Sequence, residues 1–171
     1  MGVPSDSDLV DIVNDDDVSI GTIERGKILE SGVNFRVSHV FILNSKDQLL
    51  LQQLGTVRTL QPFRWGSSVA AHVLANETYG EAARRRLHDE LRIEVPLTEA
   101  FKIRIPQGTA TKFVTLFLGW SDVATIGEPD HSASIEFKFL DWVRAEIKAT
   151  PESFTDTFRA LFESFWQDRA C

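Results

Sequence analysis

Alternating apolar and polar positions mark most of the strands that this chain is expected to form. Phe35 to Leu43 alternates and is rich in β-branched and aromatic residues, and Gln48 to Gln53 follows it after a short polar turn. Leu9 to Ile23 predicts a short strand and turn, with the bend at residues 14–17. The same pattern predicts further strands at residues 67–73, 101–105, 112–120 and 135–142.

One helix is predicted more clearly than any other element. Its apolar side chains recur every four residues, at Tyr79, Ala83, Leu87 and Leu91. Thr78 is a good N-cap, and Glu81 three residues later completes a capping box. The helix must end before Pro96, and Arg92 stands where a glycine in the left-handed conformation usually closes a helix. We expect Arg92 to cost about 1 kcal/mol there or to take another geometry.

A second amphipathic helix is predicted near the end of the chain, where Phe154 to Trp166 places phenylalanine and leucine at helical spacing. Together with the strands, the helices predict one α/β domain in which a mixed sheet lies between helices. We expect residues 1–30 to form an N-terminal strand-and-turn extension and residues 31–171 to form the main domain.

Length and charge limit the class of partner. The chain has 171 residues with 43% apolar content, which suits a globular domain with a sizeable core. Its formal net charge of -7 argues against a nucleic-acid polymer. A small anionic substrate stays open as a partner, because basic side chains or a cation can offset the charge locally.

The chain is expected to act in the cytoplasm. Its single cysteine, Cys171, can make no intrachain disulfide, which fits a reducing compartment. The acidic N-terminal residues lack the basic and apolar regions of a signal peptide. No apolar run approaches the roughly 20 residues that span a bilayer, so no membrane association is expected.

Two charged residues fall on the side of the first helix that its apolar stripe marks for burial. Glu90 lies inside the apolar arc of a helical wheel, Arg86 lies one turn earlier on the same side, and Asp89 flanks it. A buried carboxylate is costly unless it is paired or binds a cation. Two interpretations remain open: an ion pair between Arg86 and Glu90, or a hard divalent cation held by Glu90 with help from Asp89.

The segment from Ala71 to Ile93, AHVLANETYGEAARRRLHDELRI, resembles the Nudix box, with which that superfamily holds a metal against a diphosphate. The spacing of the box is kept by Glu77, Arg85, Leu87, Asp89, Glu90 and Ile93. Ala71, Arg86 and Arg92 depart from the box, where it has Gly, Glu and Gly. The resemblance covers residues 36–142 and implies the Nudix fold, an α/β/α sandwich with a mixed β-sheet.

Within that superfamily the chain is closer in pattern to isopentenyl-diphosphate isomerase, which also has Arg at the position of Arg86. The pattern is carried by Leu49, Leu50, Leu51, Pro62, Trp65, Ser68 and His72, followed by the box. This likeness implies that Arg86 faces a substrate diphosphate and that Glu90, with Asp89, holds Mg²⁺ or Mn²⁺. Arg58 falls near a further basic position that faces the diphosphate. His72 either contacts phosphate or hydrogen-bonds the loop before the helix.

Glu136 is the candidate base outside the box. It stands six residues before Trp142, where many members of the superfamily place an acid on a strand. The alternative interpretation is a solvated glutamate at a strand end. Glu90 and Glu136 are thus the two candidate catalytic residues.

Isomerase activity itself is not expected. Ala70 stands in place of the catalytic Cys of that family, and Lys112 or a neighbour stands in place of its catalytic Glu. Phe35 and Arg36 occupy the region of its upstream metal-binding histidines. Without a thiol and an opposing carboxylate, proton transfer at an alkene has no acid–base pair.

Two hypotheses for the function remain. The first is a Nudix hydrolase that uses a divalent metal to cleave a nucleoside-diphosphate-linked or other small diphosphate substrate. The second is a non-catalytic Nudix domain that binds a nucleotide, another diphosphate or a protein partner. Either protein could assemble as a homodimer.

Overall fold

The computed structural model describes residues 4–55, 61–126 and 132–171. Its strands are Leu9–Val13 (β1), Ser19–Glu24 (β2), Phe35–Leu43 (β3), Gln48–Leu54 (β4), Trp65–Gly66 (β5), Val69–His72 (β6), Thr98–Gln107 (β7), Ala110–Trp120 (β8) and Ser132–Phe139 (β9). Its α-helices are Ile28–Ser31 (α1), Tyr79–Leu91 (α2), Leu140–Ala149 (α3) and Asp156–Ala170 (α4). Short 3-10 turns lie at Arg25–Lys27 and Pro151–Ser153.

The strands form a two-stranded hairpin and a larger mixed sheet. β1 pairs with β2, and the larger sheet runs β5-β4-β3-β8-β7, with β6 beside β3 and β9 beside β4. β3 and β8 are parallel, whereas the other neighbouring strands are antiparallel. The mixed sheet agrees with the sequence prediction.

Helices cover both faces of the larger sheet, because successive side chains of a strand point to opposite sides. On one face, the Phe41 ring lies 5.5 Å from the ring of Phe158 and 5.4 Å from that of Phe165, both in α4. On the other face, Val40 and Ile42 pack with the apolar stripe of α2. The predicted α/β/α sandwich is therefore confirmed.

The ends of α2 follow from particular side chains. The Thr78 hydroxyl accepts from the Glu81 N–H at 3.2 Å, and the Glu81 carboxylate accepts from the Thr78 N–H at 2.8 Å, which is the predicted capping box. At the other end, Arg92 takes the left-handed conformation with φ 55°, and its N–H donates to the carbonyl of His88. An arginine thus closes the helix where a glycine would avoid a cost of about 1 kcal/mol.

The last strand begins and ends three residues earlier than the sequence predicts. It ends at Phe139, and Trp142 lies in helix α3 rather than in a strand. The sequence prediction misses α3 because the alternating pattern of β9 runs on into the first turn of the helix, so that the pattern assigns Leu140 and Trp142 to the strand. Leu140 and Val143 are the buried residues of α3.

The C-terminal helix also begins later than expected. Phe154 is buried in an extended conformation, and α4 starts at Asp156 because the Thr155 hydroxyl accepts from the Phe158 N–H and caps the helix. Among the helices of the described residues, none is both long and apolar enough to cross a membrane.

The β1–β2 hairpin is tied to the larger sheet through Asp17 at its bend. The Arg36 guanidinium donates to the Asp17 carboxylate at 2.6 Å, and the Tyr79 hydroxyl donates to it at 2.9 Å. Lys102 donates to the same carboxylate and lies 4.6 Å above the Tyr79 ring. Burial alone would raise the pKa of Asp17, but hydrogen bonds from Arg36, Lys102 and Tyr79 outweigh it and hold the pKa below its ordinary value.

Replacing Asp17 with asparagine is expected to lower the free energy of unfolding at neutral pH by about 1–3 kcal/mol, because charge-assisted hydrogen bonds are lost. Since the folded-state pKa is lowered, this stabilisation is fully present above the unfolded pKa of about 3.9 and is lost as the pH falls through the folded pKa. Melting temperatures measured from about pH 7 to about pH 2 should therefore differ at neutral pH and converge in acid. A gap that persists unchanged in acid would contradict the electrostatic account.

Candidate functional site

Arg86 and Glu90 form a buried ion pair on the sheet-facing side of α2. Arg86 Nη2 lies 2.5 Å from Glu90 Oε1, and the two side chains are 7% and 0% exposed. One helical turn separates the residues, which brings their side chains together. Glu90 Oε2 accepts from the Gln52 amide at 3.2 Å, and the same nitrogen donates to Ser132 Oγ at 2.6 Å. The ion pair, one of the two interpretations that the sequence left open, is therefore present.

Asp89 is also buried, at 1% exposure, but it lies on another flank of α2. Its Oδ1 lies 3.4 Å from Nδ1 of His88. Its Oδ2 has no hydrogen-bond partner among the residues that the structure describes. A buried carboxylate oxygen without a donor is costly, so this atom is an acceptor that a cation or a donor group would satisfy.

A small cavity lies between α2, the end of β6 and the N-terminal segment. Its volume is about 70 Å³, and its walls include Pro4, Arg25, Ala70, Ala71, His72, Arg85 and Arg86. The polar side chains of this set are guanidinium and imidazole groups, and none of its described members is a carboxylate. The cavity is therefore lined by donor groups of the kind that bind phosphate, and its three arginines also pair with Asp6, Glu77 and Glu90.

Arg25 holds the N-terminal segment over this cavity. Its Nε donates to the Ser5 carbonyl at 3.1 Å, and its Nη2 donates to the Pro4 carbonyl at 3.0 Å. Asp6 Oδ1 also lies 3.0 Å from Nη2. Nothing in the sequence singles out Arg25, because no motif spacing relates it to the box and only the fold brings the two together.

The pair of Glu77 and Arg85 shapes the loop that leads into α2. Arg85 donates to the two carboxylate oxygens of Glu77 at 2.7 and 2.9 Å, and to the His72 carbonyl at 3.1 Å. Glu77 also accepts from the Leu74 N–H at 2.9 Å. These bonds fix the loop, and through Arg85 they fix one wall of the cavity.

His72 stands at the end of β6 and lines the same cavity. Its ring centroid lies 5.7 Å from that of Phe35, which packs against it. The cavity walls thus include His72 and Arg86, two of the three residues predicted to bind phosphate, but the His72 ring stands opposite Val37, whose side chain belongs to the core beneath α4. The third, Arg58, lies outside the described residues.

Comparison with known proteins decides the family. The family model described as NUDIX domain matches residues 34–158. The chain belongs to the NUDIX domain family. Its predicted Nudix fold is confirmed by the crystal structure of DR0079 from Deinococcus radiodurans, with a TM-score of 0.80 and 25% identity over 91% of this chain and 98% of that chain.

Relatives of this Nudix protein carry several names. A Nudix hydrolase from Deinococcus radiodurans is 30% identical over 155 residues, which cover 87% of this chain and 88% of the relative. An isopentenyl-diphosphate Delta-isomerase from Pectobacterium atrosepticum is 28% identical over 164 residues, 91% of this chain and 92% of the relative. A prenyl-diphosphate phosphatase from Methanosarcina mazei is 26% identical over 155 residues, 88% of this chain and 91% of the relative. The predicted likeness to the isomerases is therefore confirmed.

In this Nudix domain, Glu136 lies on the opposite face of the sheet from Glu90. Glu136 pairs with Leu51, whose side chain belongs to the core beneath α4, and directly paired residues share a face. The adjacent Gln52 points the other way and contacts Glu90. Glu136 is 45% exposed and lies 2.6 Å from Lys138. Glu136, the candidate base outside the box, is therefore separated from Glu90 by the sheet, because strand register decides the face.

The positions at which the Nudix chain departs from the isomerase pattern carry apolar or basic side chains. Ala70 lines the cavity, and Phe35 is buried against His72. Lys112 Nζ donates to Thr157 Oγ1 at 2.6 Å. Burial lowers the pKa of Lys112, although the charge of Asp156 partly opposes this. Ala70, Phe35 and Lys112 offer neither a thiol nor a carboxylate.

Proposed function

We propose that this Nudix protein hydrolyses a small diphosphate-containing substrate with one divalent cation, Mg²⁺ or Mn²⁺. The observation that carries the proposal is the cavity of about 70 Å³ lined by Arg25, Arg85, Arg86 and His72 beside the box helix. Guanidinium groups bind phosphate oxygens through two parallel hydrogen bonds, and they keep their charge at every working pH.

Arg86 connects the cavity to the carboxylates of the box. It lines the cavity, and its guanidinium also contacts Glu90. A phosphate bound by Arg86 would therefore lie near Glu90, so that phosphate oxygens and a carboxylate oxygen meet at one place. This is the juxtaposition that a hard cation requires.

The residues present fit a single cation that takes part of its ligands from the substrate. Among the described residues, no three His, Cys, Asp or Glu side chains are grouped to hold a metal by themselves. Mg²⁺ is usually bound by one or two carboxylates together with substrate phosphates and water. Glu90 would supply the carboxylate next to Arg86, whereas the open Oδ2 of Asp89 lies on another flank of α2. When bound, the cation would neutralise charge on the diphosphate. The nearby charge of Arg86 disfavours a second cation.

Prenyl diphosphates are the first substrates to test within the diphosphate class. The names of the Methanosarcina mazei and Pectobacterium atrosepticum relatives point to a prenyl diphosphate and to isopentenyl diphosphate. We do not assign isomerase activity to this chain, because Ala70 and Lys112 supply no acid–base pair for proton transfer at an alkene. We propose a reducing cytoplasm as the location of the protein, because its single cysteine, the exposed Cys171, makes no intrachain disulfide.

A second candidate function is binding of a diphosphate without hydrolysis. It is favoured by the engagement of Glu90, whose two oxygens already contact Arg86 and Gln52. A protein of this kind would show a higher melting temperature with a non-hydrolysable diphosphonate and would release no phosphate from the corresponding diphosphate. Turnover by the wild-type protein would exclude it.

Replacing Arg25 with glutamine tests the cavity as the phosphate site. We expect KM for a diphosphate substrate, or Kd for a diphosphonate, to rise roughly tenfold, because one charge-assisted hydrogen bond is worth about that factor. Lys27→Gln is the matched control: it removes the same charge two residues away, where the side chain is exposed, pairs with Glu24 and does not line the cavity. Equal affinities of the two variants would place the diphosphate elsewhere.

A further inference from the structure

A groove separate from the proposed phosphate site runs along α2. It lies between the helix and residues 93–96, and its volume is about 720 Å³. Neither Arg86 nor Glu90 belongs to its described lining, and Arg85 is the described residue that lines both this groove and the small cavity. The exposed side chain of His88 stands along it, and we call it the outer groove.

Asp89 supplies a buried carboxylate to the outer groove. Its side chain lines the groove and is 2% exposed. Its Oδ1 lies 3.4 Å from Nδ1 of His88, whereas its Oδ2 has no hydrogen-bond partner in the part of the chain that the structure describes. An acceptor that is buried without a donor is costly, so a ligand N–H at Oδ2 would add a favourable bond.

The charges of the outer groove favour a cationic ligand. Of its charged side chains, Glu77 and Arg85 neutralise each other through an ion pair of 2.7 Å. The charged side chains that remain in the described lining are one guanidinium and three carboxylates, those of Arg84, Glu81, Asp89 and Glu94. A site with this excess of carboxylates attracts a cation and repels the anionic end of a diphosphate.

An organic cation suits the outer groove better than a metal ion. Among the residues that the structure describes, no three His, Cys, Asp or Glu side chains are grouped to hold a metal. An ammonium group needs less, because one of its N–H donors can bond a single carboxylate oxygen while the others stay in water. The lining also has an apolar wall, formed by Leu87, Ile93, Val95 and Pro96. A carbon chain attached to the cation would be buried against this wall.

We propose that the outer groove binds an organic ammonium ion, with an N–H donating to Oδ2 of Asp89 and the carbon chain lying along the apolar wall. This inference goes beyond the proposed hydrolysis, because the ligand needs neither a phosphate nor a divalent cation. A free polyamine and a lysine side chain of another protein present the same ammonium chemistry to Asp89.

The test is calorimetric titration of hexylammonium at neutral pH into the wild type, Asp89→Asn and Asp168→Asn, without diphosphate or divalent cation. We expect Asp89→Asn to bind roughly tenfold more weakly than the wild type, because a hydrogen bond to a charged group is worth about that factor. Asp168→Asn is the matched control and should bind like the wild type, since Asp168 is exposed on α4 and does not line the groove.

A second probe separates the N–H contact from simple charge attraction. Hexyltrimethylammonium has the same charge and chain but no N–H, so the wild type should bind it roughly tenfold more weakly than hexylammonium. This comparison needs no variant and therefore holds even if Asp89→Asn does not fold. Spermidine and N-acetyl-lysine methylamide, titrated in the same way, distinguish a polyamine from a lysine side chain by which of them binds more tightly.

The inference is overturned if the folded wild type binds no hexylammonium, or if Asp89→Asn binds it as tightly as the wild type. Equal binding of the two hexyl probes by the wild type would show attraction of charge without an N–H contact at Asp89. Displacement of hexylammonium by Mg²⁺ at constant ionic strength would assign Asp89 to a divalent cation instead. Because these titrations contain no diphosphate, their outcome is independent of whether the proposed hydrolysis fails.

Discussion

Replacing Arg86 with methionine should lower the free energy of unfolding by about 3–5 kcal/mol. The substitution leaves Glu90, which is fully buried, without its guanidinium partner at 2.5 Å. Methionine keeps the length of the side chain and a good helix propensity, so the loss comes from the uncompensated charge and not from the helix. The expected loss is a large part of the roughly 5–15 kcal/mol by which a domain is stable.

Urea denaturation of two further variants separates the loss of the buried ion pair from the general effect of replacing an arginine on this helix. Arg84→Met is the matched control, because Arg84 is exposed on the same helix, and its cost should stay within about 0.5 kcal/mol. The double variant Arg86→Met/Glu90→Leu should recover most of the lost stability, because an apolar pair often replaces a buried ion pair without loss. If Arg86→Met costs no more than Arg84→Met, the buried ion pair is not as described.

Replacing Glu90 with glutamine should reduce kcat/KM for a diphosphate substrate roughly 10²- to 10³-fold, the range seen when one charge-stabilising group is removed from an active site. Glutamine keeps the shape of the side chain but lacks the negative charge that we propose holds the cation. The effect should be larger on turnover than on binding, because Arg25, Arg85 and Arg86 still line the cavity.

Glu94→Gln is the control for this variant, because Glu94 is 80% exposed and lies near His88, away from the cavity. Melting temperatures of both variants show whether the proteins remain folded at the assay temperature. Full activity of folded Glu90→Gln would contradict a cation held by this carboxylate. A loss of activity in Glu94→Gln as large as that in Glu90→Gln would also contradict a specific role of the Glu90 carboxylate.

The sequence predicts the box helix well because local signals agree there. The capping box at Thr78, the four-residue apolar repeat and the Arg86–Glu90 spacing all depend on residues within one segment. Strand β3 is predicted at its observed bounds for the same reason, since its pattern and its turn are local. Helix α3 is missed because its first turn, as far as Trp142, continues the apolar alternation of the strand before it.

The candidate site is harder to predict because long-range pairing builds it. The sequence indicates that Glu136 lies on a strand, but the register between β9 and β4 places its side chain across the sheet from Glu90. Gln52 reaches Glu90, and Arg25 reaches the cavity, only after the chain has folded. Neither residue lies in a motif, so no spacing in the sequence could have found them.

The most direct test of the central claim is phosphate release by the wild-type protein from prenyl diphosphates and nucleoside-diphosphate-linked compounds, each with Mg²⁺ and with EDTA. The account predicts turnover of at least one of these diphosphates with Mg²⁺ and its loss in EDTA. Folded protein that releases no phosphate from any of them with either Mg²⁺ or Mn²⁺ would contradict the proposed hydrolase. Stabilisation of that protein, but not of Arg25→Gln, by a diphosphonate would then identify the Arg-lined cavity as a binding site without hydrolysis.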